Sequence, residues 1–185
     1  MSKSNYDQMP YPNLSHSYTH PDKLATHAML LGMKPAKPDS CRVLEIGCAG
    51  GINLSGMALV LPGSSFVGID NSAEQIEEAH NVASVLNLKN LTFKHMDILD
   101  VDSKLGQFDY IIAHGIYSWV PPQVRDKLLE ICTQNLAPQG IAYISYNTYP
   151  GWHTLGMMRD MMLYHTRNTD DPMEVTAQST ELIEF

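Results

Sequence analysis

The chain has 185 residues, 44% of them hydrophobic and 17% charged, with three cysteines and a net charge of −8 at neutral pH. That length and balance suit one soluble domain with a substantial core, and exclude a disordered or disulfide-stapled chain. No run of 18 apolar residues and no basic-then-apolar leader occur, which predicts no membrane span, no secretory signal and a cytoplasmic address; twelve Lys and Arg against twenty Asp and Glu, without a basic cluster, disfavour a nucleic-acid partner.

Residues 1–22 are rich in Tyr, Pro, Asn, Ser and His with no sustained period, and read as an irregular N-terminal arm. Pro21 and Asp22 then start a helix in which Leu24, His27, Ala28 and Leu31 recur at helical spacing, and Gly32 stops it. Strand-like runs follow at 41–46, 65–69, 91–96, 108–113 and 141–146. Helical runs lie between them at about 52–61, 72–87 and 121–136, with another at about 152–166 after the last strand. Strands with few polar breaks, alternating with helices, predict an α/β fold: a doubly wound, mostly parallel sheet with helices on both faces. In such sheets the ligand sits beyond the carboxyl ends of the strands, where strand order reverses. The expected parts are an N-terminal arm and helix over the site (1–35), a ligand-binding domain (36–166), and a polar tail or the start of a downstream region (167–185).

The segment VLEIGCAGGINL, residues 43–54, runs from a buried strand through glycines into a helix. A dinucleotide fingerprint started on Gly47 would put Ala49 at its second glycine and Ile52 at its third, and Glu45 would repel an entering pyrophosphate. No Gly-Lys-Ser or Gly-Lys-Thr follows, so a P-loop is excluded. Read as E-x-G-x-G-x-G, the stretch supplies Glu45, Gly47 and Gly51, with Ala49 at the middle glycine. A plainer reading of Glu45 is a carboxylate favouring the dipole of the following helix. Later strands also end in polar residues: FVGIDNS in Asp70 and Asn71, HMDILD in Asp97 and Ile98, FDYIIAHGIYSWVP in His114 and Gly115. Taken alone, Asp70 or Asp97 also reads as a helix cap.

In these four segments the chain resembles the class I S-adenosylmethionine-dependent methyltransferases. The resemblance implies a Rossmann-like methyltransferase fold, S-adenosyl-L-methionine as cofactor and S-adenosyl-L-homocysteine as product. It implies that Gly47, Cys48, Ala49 and Gly51 pass close to the methionine part and that Glu45 helps position it. It further implies that Asp70, with Asn71, takes the ribose hydroxyls and that Asp97 and Ile98 hold the adenine. His114 and Gly115 fall beside the expected methyl-transfer point. Three further stretches, THPDKLATHAMLLG, HGIYSWVPPQVRDKLL and YNTYPGWH, resemble a narrower bacterial group that carries a methyltransferase regulatory domain downstream and includes protein-lysine methyltransferases. This resemblance covers residues 5–166.

Methyl transfer from a sulfonium is an in-line displacement that depends on alignment. An amine acceptor must also lose a proton, and a free lysine with pKa about 10.4 needs a base or a shifted pKa. The candidates are His114, Tyr117, Tyr146 and Tyr149, with His114 first because it directly follows the fourth strand; a hydrogen-bonded structural role is its other reading. Aromatic faces at Tyr117, Trp119, Tyr149 and Trp152 suit either a cationic amine or the packing of loops over the sheet. Tyr18 and His20 are expected to fold over the cofactor from the arm. Met157, Met158, Met161 and Met162 form one apolar helix face, expected to be buried in the core or against a neighbouring domain rather than to contact substrate. His16, His20, His27 and His153 lack a compact ligand spacing, so no metal is expected, and Cys41, Cys48 and Cys132 read as reduced and structural.

The family's sheet ends in two further antiparallel edge strands, for which residues 167–185 are too few. An open sheet edge predicts a downstream domain or a second subunit as its cover. The expected function is methyl transfer to a nucleophilic acceptor, protein or small molecule, with a protein lysine among the candidates. The alternatives are a small-molecule methyltransferase and a non-catalytic cofactor-binding or regulatory module.

Overall fold

The computed structural model describes residues 13–184, so the first twelve residues of the predicted arm lie outside it. The described residues divide into two compact units, one running through Tyr146 and the other beginning at Asn147.

The first unit is built on five parallel strands, β1 (Arg42–Ile46), β2 (Ser65–Asp70), β3 (Leu91–His95), β4 (Phe108–Ala113) and β5 (Leu136–Ile144), in the order β3-β2-β1-β4-β5. Parallel strands covered on both faces need near-continuous apolar runs. Val43, Leu44, Ile46, Ile69, Tyr110, Ile111 and Ile112 accordingly have no exposed surface. Val43 pairs with Phe66 on one side and Tyr110 on the other, which fixes the register at the centre of the sheet. Helices α1 (Pro21–Leu30), α2 (Ile52–Val60) and α3 (Ala73–Val85) contribute Leu24, Leu54, Met57, Ile76 and Ala79 to a core with Val43, Phe66, Tyr110 and Ile112. On the opposite face α4 (Pro122–Asn135) packs Leu128 and Ile131 against Leu44, Ile46, Ile69 and Ile111. The sheet is therefore doubly wound. Its chain runs outward from β1 to β3 and returns to β4 on the other side of β1, so strand order reverses between β1 and β4.

Two local expectations need correction. In α1 the buried stripe is Pro21, Leu24, Ala25 and Ala28; His27 is exposed, and Leu31, past the last helical residue, is 83% exposed. β5 starts at Leu136 rather than 141: Phe108 pairs with Leu136 but Tyr110 with Ile141, so 137–140 bulge out around Pro138, which has no N–H for the ladder. In the second unit, which holds α5 (His153–His165) and α6 (Pro172–Glu184), the stretch read as a polar tail or the start of a downstream region holds a helix. Asp171 accepts the Met173 N–H at 3.2 Å ahead of this helix, and Gln178 donates to Glu174 one turn back at 3.0 Å. This Asp-Pro start and the helix-forming residues after it outweigh a weak apolar period. Among the described residues nothing covers the methionine face of α5: Met157 and Met161 are 59% and 54% exposed and line an open groove with Tyr149 and Tyr164. No described helix is long and apolar enough to cross a membrane.

Gly51, the residue before α2, holds φ at +74°, and a Cβ there would run into the Phe93 ring and Ala79. Gly51→Ala is expected to lower unfolding stability by roughly 2–4 kcal/mol in urea titrations, from left-handed backbone strain plus overpacking. A loss under about 0.5 kcal/mol would show that the turn relaxes freely.

Candidate active site

The turn from β1 into α2 is held by its backbone. Gly47 and Cys48 both donate their N–H groups to the Ile69 carbonyl, at 2.8 and 3.0 Å. Gly47 and Gly51 have φ of +69° and +74°, and Ala49 between them has +47°. A left-handed backbone costs an L-residue about 1–2 kcal/mol. The Ala49 N–H offsets this by donating to Asp70 Oδ2 at 2.9 Å, while Asp70 Oδ1 accepts the Ser72 N–H at 2.9 Å. Ser72, not Asp70, caps α3, accepting from the Gln75 N–H at 3.3 Å. A carboxylate has about four acceptor positions, so each Asp70 oxygen keeps one for a further donor. Asn13 of the arm lies across the turn, where a side chain at Gly50 would meet it.

Beneath the turn, Glu45 is buried, with 4% exposure. Asn53, in the first turn of α2, gives one amide hydrogen to Glu45 Oε1 at 2.7 Å and the other to Thr19 Oγ1 at 3.1 Å. Its Oδ1 accepts the His16 N–H at 2.8 Å, and the Thr19 hydroxyl donates to the His16 carbonyl at 2.8 Å. Glu45 Oε2 is buried and has no hydrogen-bond partner among the described residues. Burial raises the Glu45 carboxyl to about 7; the Asn53 bond opposes this and the Asp70 charge adds to it.

The arm also brings aromatic groups over the end of β4. The Tyr18 hydroxyl lies 3.0 Å from His16 Nδ1 and 3.2 Å from His114 Nε2. The two imidazole rings are 4.1 Å apart, and Tyr143 of β5 is 6.1 Å from both Tyr18 and His114. Burial and the neighbouring His16 hold the His114 imidazole below its ordinary pKa, and its Nδ1 is buried without a partner among the described residues. Gly115, with φ of +71°, donates its N–H to Ser145 Oγ at 2.7 Å.

The remaining predicted residues divide. Tyr117 and Tyr146 meet edge to face at 6.1 Å, but the Arg125 guanidinium already lies over the Tyr117 ring at 5.7 Å, so that face holds the chain's own cation. Tyr149 belongs to the second unit and packs on His153 at 4.4 Å. Asp97 caps a short turn by accepting the Leu99 N–H at 2.9 Å, Ile98 packs into the second core, and the Asn71 carbonyl lies 3.1 Å from His95 Nε2. Cys48 is buried, which pushes its thiol pKa well up and leaves it a packing residue. His20 does not join Tyr18; its ring accepts the Asp22 N–H at 3.2 Å and caps α1. No group of three potential metal ligands comes together among the described residues. The sequence reading missed Asn53, Thr19, His16 and Tyr143. Only Asn53 carried a signal, as a lone amide near the start of the apolar helix INLSGMALV.

The family model described as Methyltransferase domain matches residues 37–180. The chain belongs to the class I S-adenosylmethionine-dependent methyltransferase family. It is 46% identical over 180 residues to an uncharacterized protein of Rickettsia prowazekii, covering 97% of this chain and 32% of that protein. A second uncharacterized Rickettsia prowazekii protein is 41% identical over 184 residues and is covered to 74% of its length. Among solved structures, PKMT2 from Rickettsia typhi in complex with AdoHcy superposes with a TM-score of 0.85 at 40% identity, over 95% of this chain and 34% of that one. The chain thus spans about a third of the length of the first of these relatives and of PKMT2.

The folded chain keeps a proton on Glu45 up to about pH 7, whereas the unfolded chain releases it near the ordinary 4.5. The stability this confers is full below the unfolded value and is lost as pH rises through the folded one. The difference in unfolding free energy between Glu45→Gln and wild type should therefore grow by roughly 3 kcal/mol from about pH 4.5 to 7.5 in the variant's favour. Parallel urea titrations across that range check it; a flat difference would place the carboxyl in contact with water.

Proposed function

We propose that this chain is the S-adenosyl-L-methionine-binding part of a methyltransferase that passes a methyl group to a nucleophilic acceptor, with a protein lysine as that acceptor. The observation that carries the cofactor is Glu45: a buried carboxylate, with Oε2 unpartnered, beside the reversal of strand order in a chain of this family. That atom suits a cationic amino group and repels a pyrophosphate. The available residues fit the cofactor. Glu45 would hold the methionine end, the turn from Gly47 to Gly51 would lie along it, the spare acceptor positions of Asp70 would take ribose hydroxyls, and Asp97 and Ile98 would border the adenine. When bound, S-adenosyl-L-methionine supplies an electrophilic methyl group on a sulfonium. The chain's own part is to bind and orient, and to manage the acceptor's proton near His114.

Lysine as acceptor draws support from two directions: the resemblance of three sequence stretches to the group that includes protein-lysine methyltransferases, and the 40% identity to Rickettsia typhi PKMT2. The net charge of −8 also favours a basic partner over an acidic one.

Asp70→Ala removes hydroxyl acceptors and the tether on Ala49 together, so S-adenosyl-L-methionine affinity by calorimetry should fall about 10- to 100-fold. Unchanged affinity would remove Asp70 from the site. Labelled-methyl transfer to lysine-rich proteins, set beside small amines, tests the acceptor. Binding without transfer to either would make the chain a cofactor-binding module.

A further inference from the structure

We propose that Tyr18 is the catalytic residue that takes the proton from the methyl acceptor, passing its own phenolic hydrogen to His16 while His114 holds it in position. This rests on the methyltransferase reading above and adds to it a proton path that neither the family match nor the glycine turn implies.

A hydroxyl has one hydrogen and two lone pairs. With His16 Nδ1 at 3.0 Å and His114 Nε2 at 3.2 Å, the Tyr18 oxygen can donate to one imidazole and must accept from the other. The surroundings of His114 decide the direction. Its ring is kept neutral by burial and by His16, and its Nδ1 is buried without a partner among the described residues. A buried N–H with no acceptor is rarer than an acceptor atom left bare. His114 therefore carries its hydrogen on Nε2 and donates it to Tyr18, and Tyr18 donates to His16 Nδ1. The second lone pair of the phenol oxygen remains for an incoming N–H. Access agrees with this order, because Tyr18 is 47% exposed while His114 Nδ1 is sealed. An acceptor can reach the phenol but not that imidazole nitrogen.

The groups facing Tyr18 are His16 from the arm, His114 after β4 and Tyr143 from β5. The arm is fixed there by Asn53, which accepts the His16 N–H and donates to Thr19 Oγ1, and which also holds Glu45. In the transfer an ammonium N–H bond breaks and its proton joins the Tyr18 oxygen as the phenolic proton moves to His16 Nδ1. The nitrogen lone pair so freed forms the bond to the methyl carbon, and the electron pair of the broken carbon–sulfur bond leaves with sulfur. His16, now an imidazolium, returns its proton to solvent from the partly exposed arm.

Side-chain 15N NMR of the whole chain at pH 8 reads the tautomers directly. We expect His114 protonated on Nε2, His16 with an accepting Nδ1, and both patterns altered in Tyr18→Phe, whose half-exposed site should leave the fold intact. In transfer assays Tyr18→Phe and His16→Gln should each lower kcat on the order of 100-fold with cofactor KM unchanged. Imidazole signals that ignore Tyr18→Phe, or a Tyr18→Phe kcat within about threefold of wild type, would overturn the assignment. Failure of the wild-type chain to bind S-adenosyl-L-methionine would instead overturn the methyltransferase reading and the catalytic role with it, while the tautomers stay readable.

Discussion

The site depends on one buried bond, from the Asn53 amide to the Glu45 carboxylate. An unpaired charge in an apolar interior is strongly disfavoured, and a single neutral amide only partly relieves it. Glu45 therefore sits close to its neutralisation point, with Oε1 held and Oε2 buried without a described partner. A cation reaching Oε2 would complete what Asn53 begins. A phosphate would meet a charge of its own sign at the place where dinucleotide-binding folds offer backbone N–H groups. Because Asn53 spends its remaining hydrogen and its carbonyl oxygen on Thr19 and His16, the same amide also anchors the arm that delivers Tyr18 to His114.

A second carboxylate ties the neighbouring part together. Asp70 ends β2, yet one of its oxygens holds Ala49 in a left-handed conformation that glycine would adopt without strain. The replacement of the middle glycine by alanine is thus accommodated by a side-chain tether across the β1–β2 pair. Disturbing Asp70 must disturb the turn, so contacts to the two ends of a cofactor would be coupled in this chain.

How much of this was legible depends on distance along the sequence. The strands and the residues at their ends were readable because apolar runs such as RVLEI and FDYIIA and the glycines after β1 are local signals. Asp97 was legible in place, and its capping bond to Leu99 is the kind that short-range chemistry announces. Asn53 was missed although it stands out as an odd polar residue, because its partner Glu45 lies eight residues back across a turn whose geometry the sequence does not print. His16 was beyond reach, and Tyr18, expected over the cofactor, gave no sign of its partner His114, since these contacts to Asn53 and His114 span 37 and 96 residues from an aperiodic arm. The methionines of α5 show a different limit: a clean apolar stripe reports what a helix can bury, while the sequence does not print what covers it.

The central claim is that Glu45 receives the positive end of S-adenosyl-L-methionine. Calorimetry of that ligand near pH 6.5, in two buffers of different ionisation enthalpy, measures the protons exchanged on binding. A carboxyl raised to about 7 must ionise to pair with a cation, so a fraction approaching one proton should leave the wild-type chain and none should leave Glu45→Gln. Equal proton counts for the two proteins, or heat of binding from a pyrophosphate dinucleotide in place of this ligand, would contradict it.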